Sequence, residues 1–183
     1  MATEQDIVFD YPKFRAAVHF VCHECTPEEL GRVKLHKILY FADFLHYLGT
    51  GEPLTGEDYI KQQFGPTARH LNRALRDLQA EGLLEIRLHP FYGYEKQEFI
   101  SLKPPVSNRL ADQDRALLKE VTGFVCRHTA SEISELSHSE PWRSANMGER
   151  IPYFSAGGIL PYEIGDEDFK WVEDEAQRLG LVA

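Results

Sequence analysis

Three groups of side chains in this sequence have types and spacings that could do chemistry. Cys22 and Cys25 form a C-x-x-C pair flanked by His19 and His23, with Cys126 and His128 far downstream. A zinc site needs four ligands in tetrahedral array; the first pair has the right spacing, but Cys-x-His does not complete it. Three cysteines, an odd number, in a chain without an export signal argue for free thiols. Cys22 would then pack as a small apolar residue beside Val18 and Val21. Neither stoichiometric zinc nor a structural disulfide is expected, and no βαβ context supports a thioredoxin-type pair. Ser137, His138, Ser139 and Glu140 supply the ingredients of a hydrolytic triad, yet neighbours on one short helix cannot converge as a triad must. No G-x-S-x-G elbow, Walker A, Rossmann fingerprint or HExxH accompanies them, so no enzyme and no cofactor is expected. The third group is Arg69, Arg73 and Arg76, followed by the aromatic run Phe91, Tyr92 and Tyr94 with Lys96 beside it.

That last group needs a helix and a hairpin to present it. Between Pro66 and Ala80, Leu71, Leu75 and Leu78 recur at helical period, which puts the three arginines on nearly the opposite face. EGLLEIRL, the turn HPFYGYEKQ and EFISL then read as two antiparallel strands, so helix plus hairpin is winged-helix-like. The basic face has three readings: a solvated surface, phosphate contact, or docking on an acidic partner patch. Aromatics at a turn are costly to expose unless they fold back or meet a partner, which favours docking.

The remaining elements follow from periodicity. A first helix spans Tyr11 to His23, with Phe14, Ala17, Val18 and Val21 inward. Thr26 and Pro27 look like the cap and first-turn proline of a second helix running to Leu48, apolar over most of its circumference and therefore central. Tyr59 to Phe64 is a short β-like run that could add a third strand to the hairpin. Asp112 to His128 reads as a helix with Ala116, Leu117, Val121, Phe124 and Val125 inward, and Ser131 to Ser137 as a short one. Residues 146–165 are Gly/Pro-rich and read as irregular. An acidic amphipathic helix over 166–180, carrying Phe169 and Trp171, closes the chain.

With 183 residues the chain suits one domain. Its longest apolar run, ILYFADFLHYL, is interrupted by Asp43 and His46, so no membrane span is expected. The N-terminus lacks the basic start and apolar middle of a signal peptide, which points to the cytoplasm. Net charge is −9, over half of it from Glu163, Asp166, Glu167, Asp168, Glu173, Asp174 and Glu175 against Lys170 and Arg178. Such a field repels nucleic acid and opposes specific DNA binding.

Lys34 and Lys37 sit on the central helix, where the simple expectation is that Lys37 lays its stem on apolar surface and keeps its ammonium in water. They also belong to an ordered set of short motifs. These are Lys34, Leu35, Lys37, Ile38, Leu39, Tyr40, Phe41 and Ala42; Gly51, Pro53 and Leu54; Phe64, Gly65 and Pro66; and Leu136, Ser137, His138, Glu140 and Trp142. The set resembles the Panacea domain of the SocA-like antitoxins, over residues 10–145. The resemblance implies a phage-associated or prokaryotic antitoxin of a toxin–antitoxin system, which neutralises a cognate protein toxin by binding it. It names no toxin class.

The expected molecule is thus a mainly α (α+β) single domain with a small antiparallel hairpin. Its partner surface is expected at Arg69, Arg73, Arg76, Phe91, Tyr92 and Tyr94. A winged-helix DNA-binding transcription regulator is the alternative, supported by the arginines and opposed by the charge.

Overall fold

A computed structural model describes residues 7–91, 93–105 and 107–159. Tyr11–Glu24 forms α1, whose first turn is closed when Lys13 N–H donates to Asp10 Oδ1 at 2.9 Å. Phe14, Ala17, Val18 and Val21 face the core as periodicity predicts. The second helix, α2, spans Arg32–Thr50 and does not begin at Thr26. Residues 26–30 make one hydrogen-bonded turn, Leu30 N–H to Thr26 O, and extended Gly31 then interrupts the spiral before α2 starts. Gly51, at φ +80°, ends α2 with its N–H on Tyr47 O, a left-handed cap that suits glycine.

Tyr59–Gln62 (β1) pairs antiparallel with Gly65–Ala68 (β2), from Tyr59↔Ala68 to Gln62↔Gly65. Two expectations change with this. The β-like run makes its own hairpin rather than a third strand, and Pro66 lies in β2 rather than at the head of a helix. The helix α3 is the shorter Leu71–Ala80, burying Leu71, Ala74, Leu75 and Leu78. It ends in a Schellman arrangement, Leu83 N–H on Leu78 O, with Gly82 at φ +65°. Leu84–Phe91 (β3) and Tyr94–Ser101 (β4) form the predicted hairpin, in register from Leu84↔Ser101 to Phe91↔Tyr94.

Asp112–Cys126 is α4. Its buried face is Asp114, Leu118, Val121, Thr122 and Val125, rotated from the predicted one, so that Ala116 and Phe124 are exposed. Asp114 sets that rotation: its carboxylate accepts from Ala111 N–H, pairs with Lys13 on α1 at 2.9 Å, and lies 3.5 Å from His46 on α2. Ala130–Ser137 (α5) opens with a reciprocal Thr129–Glu132 capping box. Glu140–Ser144 (α6) has Pro141 in its first turn, where sequence placed only a break. Residues 146–152 run back beside β1, with Ile151 N–H on Tyr59 O, and a 3-10 segment Tyr153–Ile159 follows, burying Tyr153 and Ala156. The predicted acidic helix over 166–180 lies outside the described residues.

The fold is mainly α with two small antiparallel hairpins. Helix α2 is central: it packs on α1, α4, α5, β2 and the 3-10 segment. Among the described residues no helix is long and apolar enough to cross a membrane.

Candidate functional site

The predicted partner surface is only partly a continuous face. Arg69 precedes α3 and sits 3.7 Å from Asp58. Arg73 lies 4.2 Å over the Tyr11 ring and 3.9 Å from Asp77, whose carboxylate also accepts from Tyr11 Oη. Burial and the Asp77 contact push the Tyr11 phenol up to about 12. Arg76 is exposed without such a partner among the described residues. The backbones of Phe91 and Tyr94 pair at the hairpin end; Tyr92, and the side chains of Phe91 and Tyr94, lie outside the described residues.

The cysteines are paired differently from expectation. Cys25, at the C-cap of α1, is bonded to Cys126, the last residue of α4, while Cys22 is free and buried. Periodicity could place both helices but not bring their ends together, with Cα atoms 6.7 Å apart. The flanking His19 and His23 both hydrogen-bond Ser101 Oγ, at 3.2 and 3.3 Å. Among the described residues no three His, Cys, Asp or Glu side chains gather as a metal site would require.

Nor do the serine and histidine residues near Trp142 converge as a triad. Ser137 Oγ donates to Ser134 O, the His138 ring stacks on Trp142 with centroids 4.0 Å apart, and Glu140 accepts from Ser144 Oγ. Ser139 stands at the N-cap of α6 without making a capping hydrogen bond.

What the structure does assemble is the set of short motifs scattered along the sequence. Lys37 points from α2 beneath the β1–β2 turn, where its ammonium donates to Pro66 O at 2.8 Å. It is 2% exposed, so the expectation of a water-facing ammonium is wrong. The chain turns over it at Gly65, φ +95°, where a Cβ would collide with Ser137 Oγ and lie 2.8 Å from Lys37 Nζ. Only glycine permits that approach. Phe64 O accepts from Ser134 Oγ and Gln62 O from Trp142 Nε1, at 3.0 and 3.1 Å, fixing the turn to α5 and α6. Lys61 Nζ lies 4.3 Å from the Trp142 ring centroid and donates to Ala145 O. His138 Nε2 is buried without a hydrogen-bond partner among the described residues, and the buried Tyr40 Oη interacts with Ser139.

One helical turn further along α2, Asp43 is fully enclosed. It accepts from Thr55 N–H, Thr55 Oγ1, Gly56 N–H and Tyr59 Oη, tying the loop after α2 to its middle. Burial raises its pKa and the four donors oppose that rise. Nearby, Glu57 Oε1 accepts from Arg69 N–H, His70 N–H and the His70 ring, and so caps α3 from another segment. Its burial raises the carboxyl to about 7. Sequence reading missed Asp43 and Glu57 as anchors; a carboxylate inside a strongly apolar helix was the available signal for Asp43.

Burial without an anionic neighbour pulls the Lys37 amine down from 10.5 to about 7. Between those values the folded protein binds fewer protons at this group than the unfolded chain does, so stability rises with pH through that window. Lys37→Met is expected to be more stable than the parent at about pH 6, with the gap closing toward about pH 10. Urea titrations of both proteins across pH check this; a gap independent of pH would mean that the amine titrates normally in the fold.

Residues 35–143 match the family model described as Antitoxin SocA-like, Panacea domain. That is more than half of the chain, and the protein belongs to this family. No curated protein and no solved structure matches it.

Proposed function

We propose that this protein neutralises a protein toxin by binding it directly, as the antitoxin half of a prokaryotic or phage toxin–antitoxin pair acting in the cytoplasm. Family membership is the observation that carries the reading. In this role the chain performs no catalysis and needs no cofactor; its side chains supply a shaped surface. The alternative of duplex DNA reading gains less from the arginines than a free stripe would give, because Arg69 and Arg73 already sit against Asp58 and Asp77 and Arg76 alone is exposed without such a partner among the described residues. Phosphate would have to compete for both.

The contact is proposed to involve the β3–β4 tip and the neighbouring arginines, the aromatics anchoring and the arginines orienting the partner. The test begins with the adjacent open reading frame, expressed alone and then with this chain. Growth arrest relieved by the second protein, together with co-purification of the two, is the expected result. Arrest that persists, or an adjacent product with no toxicity and no binding, sinks the reading. Within a positive result, Phe91→Ala, Tyr92→Ala and Tyr94→Ala are compared with Arg69→Ala and Arg73→Ala. A true aromatic anchor should cost about 2 kcal/mol, roughly thirtyfold in affinity, and an arginine less, with salt dependence. If all five fold and rescue like the parent, the tip is not the contact, and the acidic segment around Trp171 becomes the next candidate.

A further inference from the structure

Helix α2 begins in an unusual electrostatic state. Its N-cap is Gly31, no side chain caps it, and its first turn contains no acid. The partial positive charge of a helix N-terminus is therefore uncompensated from within the helix. The first two turns instead carry three basic side chains, and each donates to a neutral oxygen. Arg32 reaches Gln97 Oε1 at 3.1 Å and Asn72 Oδ1, Lys34 reaches Cys126 O at 3.1 Å, and Lys37 reaches Pro66 O. None of the three takes part in an ion pair among the described residues, although the chain as a whole carries −9.

Two of these side chains, Arg32 and Lys37, line one cleft of about 270 Å³ between α2 and the β1–β2 hairpin. Arg32, His36, Lys37, Gln62, Phe64 and Thr67 line it, and no carboxylate does. His36 adds a donor. Its Nδ1 accepts from Ala68 N–H at 3.0 Å, which leaves the ring proton on Nε2, and burial holds the ring neutral with a pKa near 3. At the rim stands Phe64, 66% exposed at the tip of its hairpin. The cleft thus holds the Arg32 cation and further donors, with an apolar edge.

We propose that this cleft is the anchoring site for the partner protein, and that it receives an Asp or Glu side chain flanked by an apolar residue. The carboxylate is the chemistry that the donor set lacks, and charge-assisted hydrogen bonds to Arg32 are the strong kind. The apolar neighbour covers Phe64, which a free inorganic anion would leave in water. The negative field of the whole chain opposes a polyanion far more than a single carboxylate on a protein of mixed charge. Arg32 also links the cleft to β4 through Gln97 and to α3 through Asn72, so the site continues the surface already assigned to the partner.

This assignment rests on the antitoxin reading, and the experiment separates the two. The toxic product of the adjacent reading frame is the probe, titrated against the parent chain, Phe64→Ala, Arg32→Gln and, as a control, the exposed Phe154→Ala. Circular dichroism checks the fold of each. Phe64→Ala is expected to weaken binding about thirtyfold and Arg32→Gln about tenfold with a reduced salt dependence, while Phe154→Ala stays at parental affinity. Replacing the toxin's acidic residues one at a time should identify one whose loss is not additive with Arg32→Gln. Amide exchange in the complex should be slowed over 32–37 and 62–68. A parent that binds while Phe64→Ala and Arg32→Gln bind equally well overturns the cleft and leaves the antitoxin reading standing. A parent that neither binds nor rescues removes that reading, and the cleft assignment with it.

Discussion

Asp43→Ala is expected to lower the melting temperature by about 10 °C. The substitution leaves Thr55 N–H, Thr55 Oγ1, Gly56 N–H and Tyr59 Oη without their shared acceptor inside the protein. Orphaned buried donors cost about 1–3 kcal/mol each when no water reaches them, and breaking such a network costs about 3–5 kcal/mol in total. A domain of this size loses about 2–4 °C per kcal/mol. The loss should spread, because Tyr59 packs among Tyr40, Phe44 and Tyr153, and Thr55 O holds Asp10 N–H at the start of α1. Asp43→Asn keeps one acceptor oxygen and sets an amide N–H against the donors that faced the other. It should fall between the parent and Asp43→Ala. Thermal unfolding by circular dichroism decides it: an alanine variant within about 2 °C of the parent would show that water replaces the carboxylate.

Reducing the Cys25–Cys126 bridge is expected to cost a comparable amount. The two cysteines are separated by 101 positions. Chain-entropy reasoning for a loop near that length gives an upper figure of about 4–5 kcal/mol, and measured effects of about 2–4 kcal/mol are typical. Urea midpoints with and without reductant, beside Cys25→Ala/Cys126→Ala, measure the effect, and the double variant should lose its response to reductant. Peptide mapping without reduction should recover the two cysteines linked. Finding both thiols free in the purified protein, with no change of midpoint on adding reductant, would refute the bridge. Cys22 offers a contrast: burial raises its thiol pKa, so it should react with a thiol reagent only on unfolding.

Local rules carried a good part of the fold. Period-3.6 patterning marked α1 almost to the residue, and the β3–β4 hairpin was marked with too long a turn, since His89–Phe91 and Tyr94–Gln97 of the expected turn pair as strand. The ordered motifs along the chain pointed to the family. Where several local signals competed, one of them misled. Thr26-Pro27 is a good helix start by type, and it does form a turn, but Gly31 breaks the spiral and restarts it at Arg32. The Gly65-Pro66 pair looked like a helix entry, whereas Gly65 serves a strand turn pressed onto Lys37 and Ser137.

The sequence by itself determined the composition of the elements, the mainly α class, the family and the uneven charge, because each follows from residue type and short-range spacing. It could not determine which distant residues meet. Lys37 read as a surface lysine because nothing within its own helix shows that Pro66 will close over it. Cys25 and Cys126 read as free thiols from an odd cysteine count without an export signal, whereas packing α1 on α4 brings their Cα atoms within bonding reach. The arginines read as a continuous stripe because a helical wheel does not contain Tyr11 or Asp58, which meet Arg73 and Arg69 from other segments. Burial, ion pairing and bridging are sums over neighbours from other segments, and only the tertiary structure supplies those neighbours.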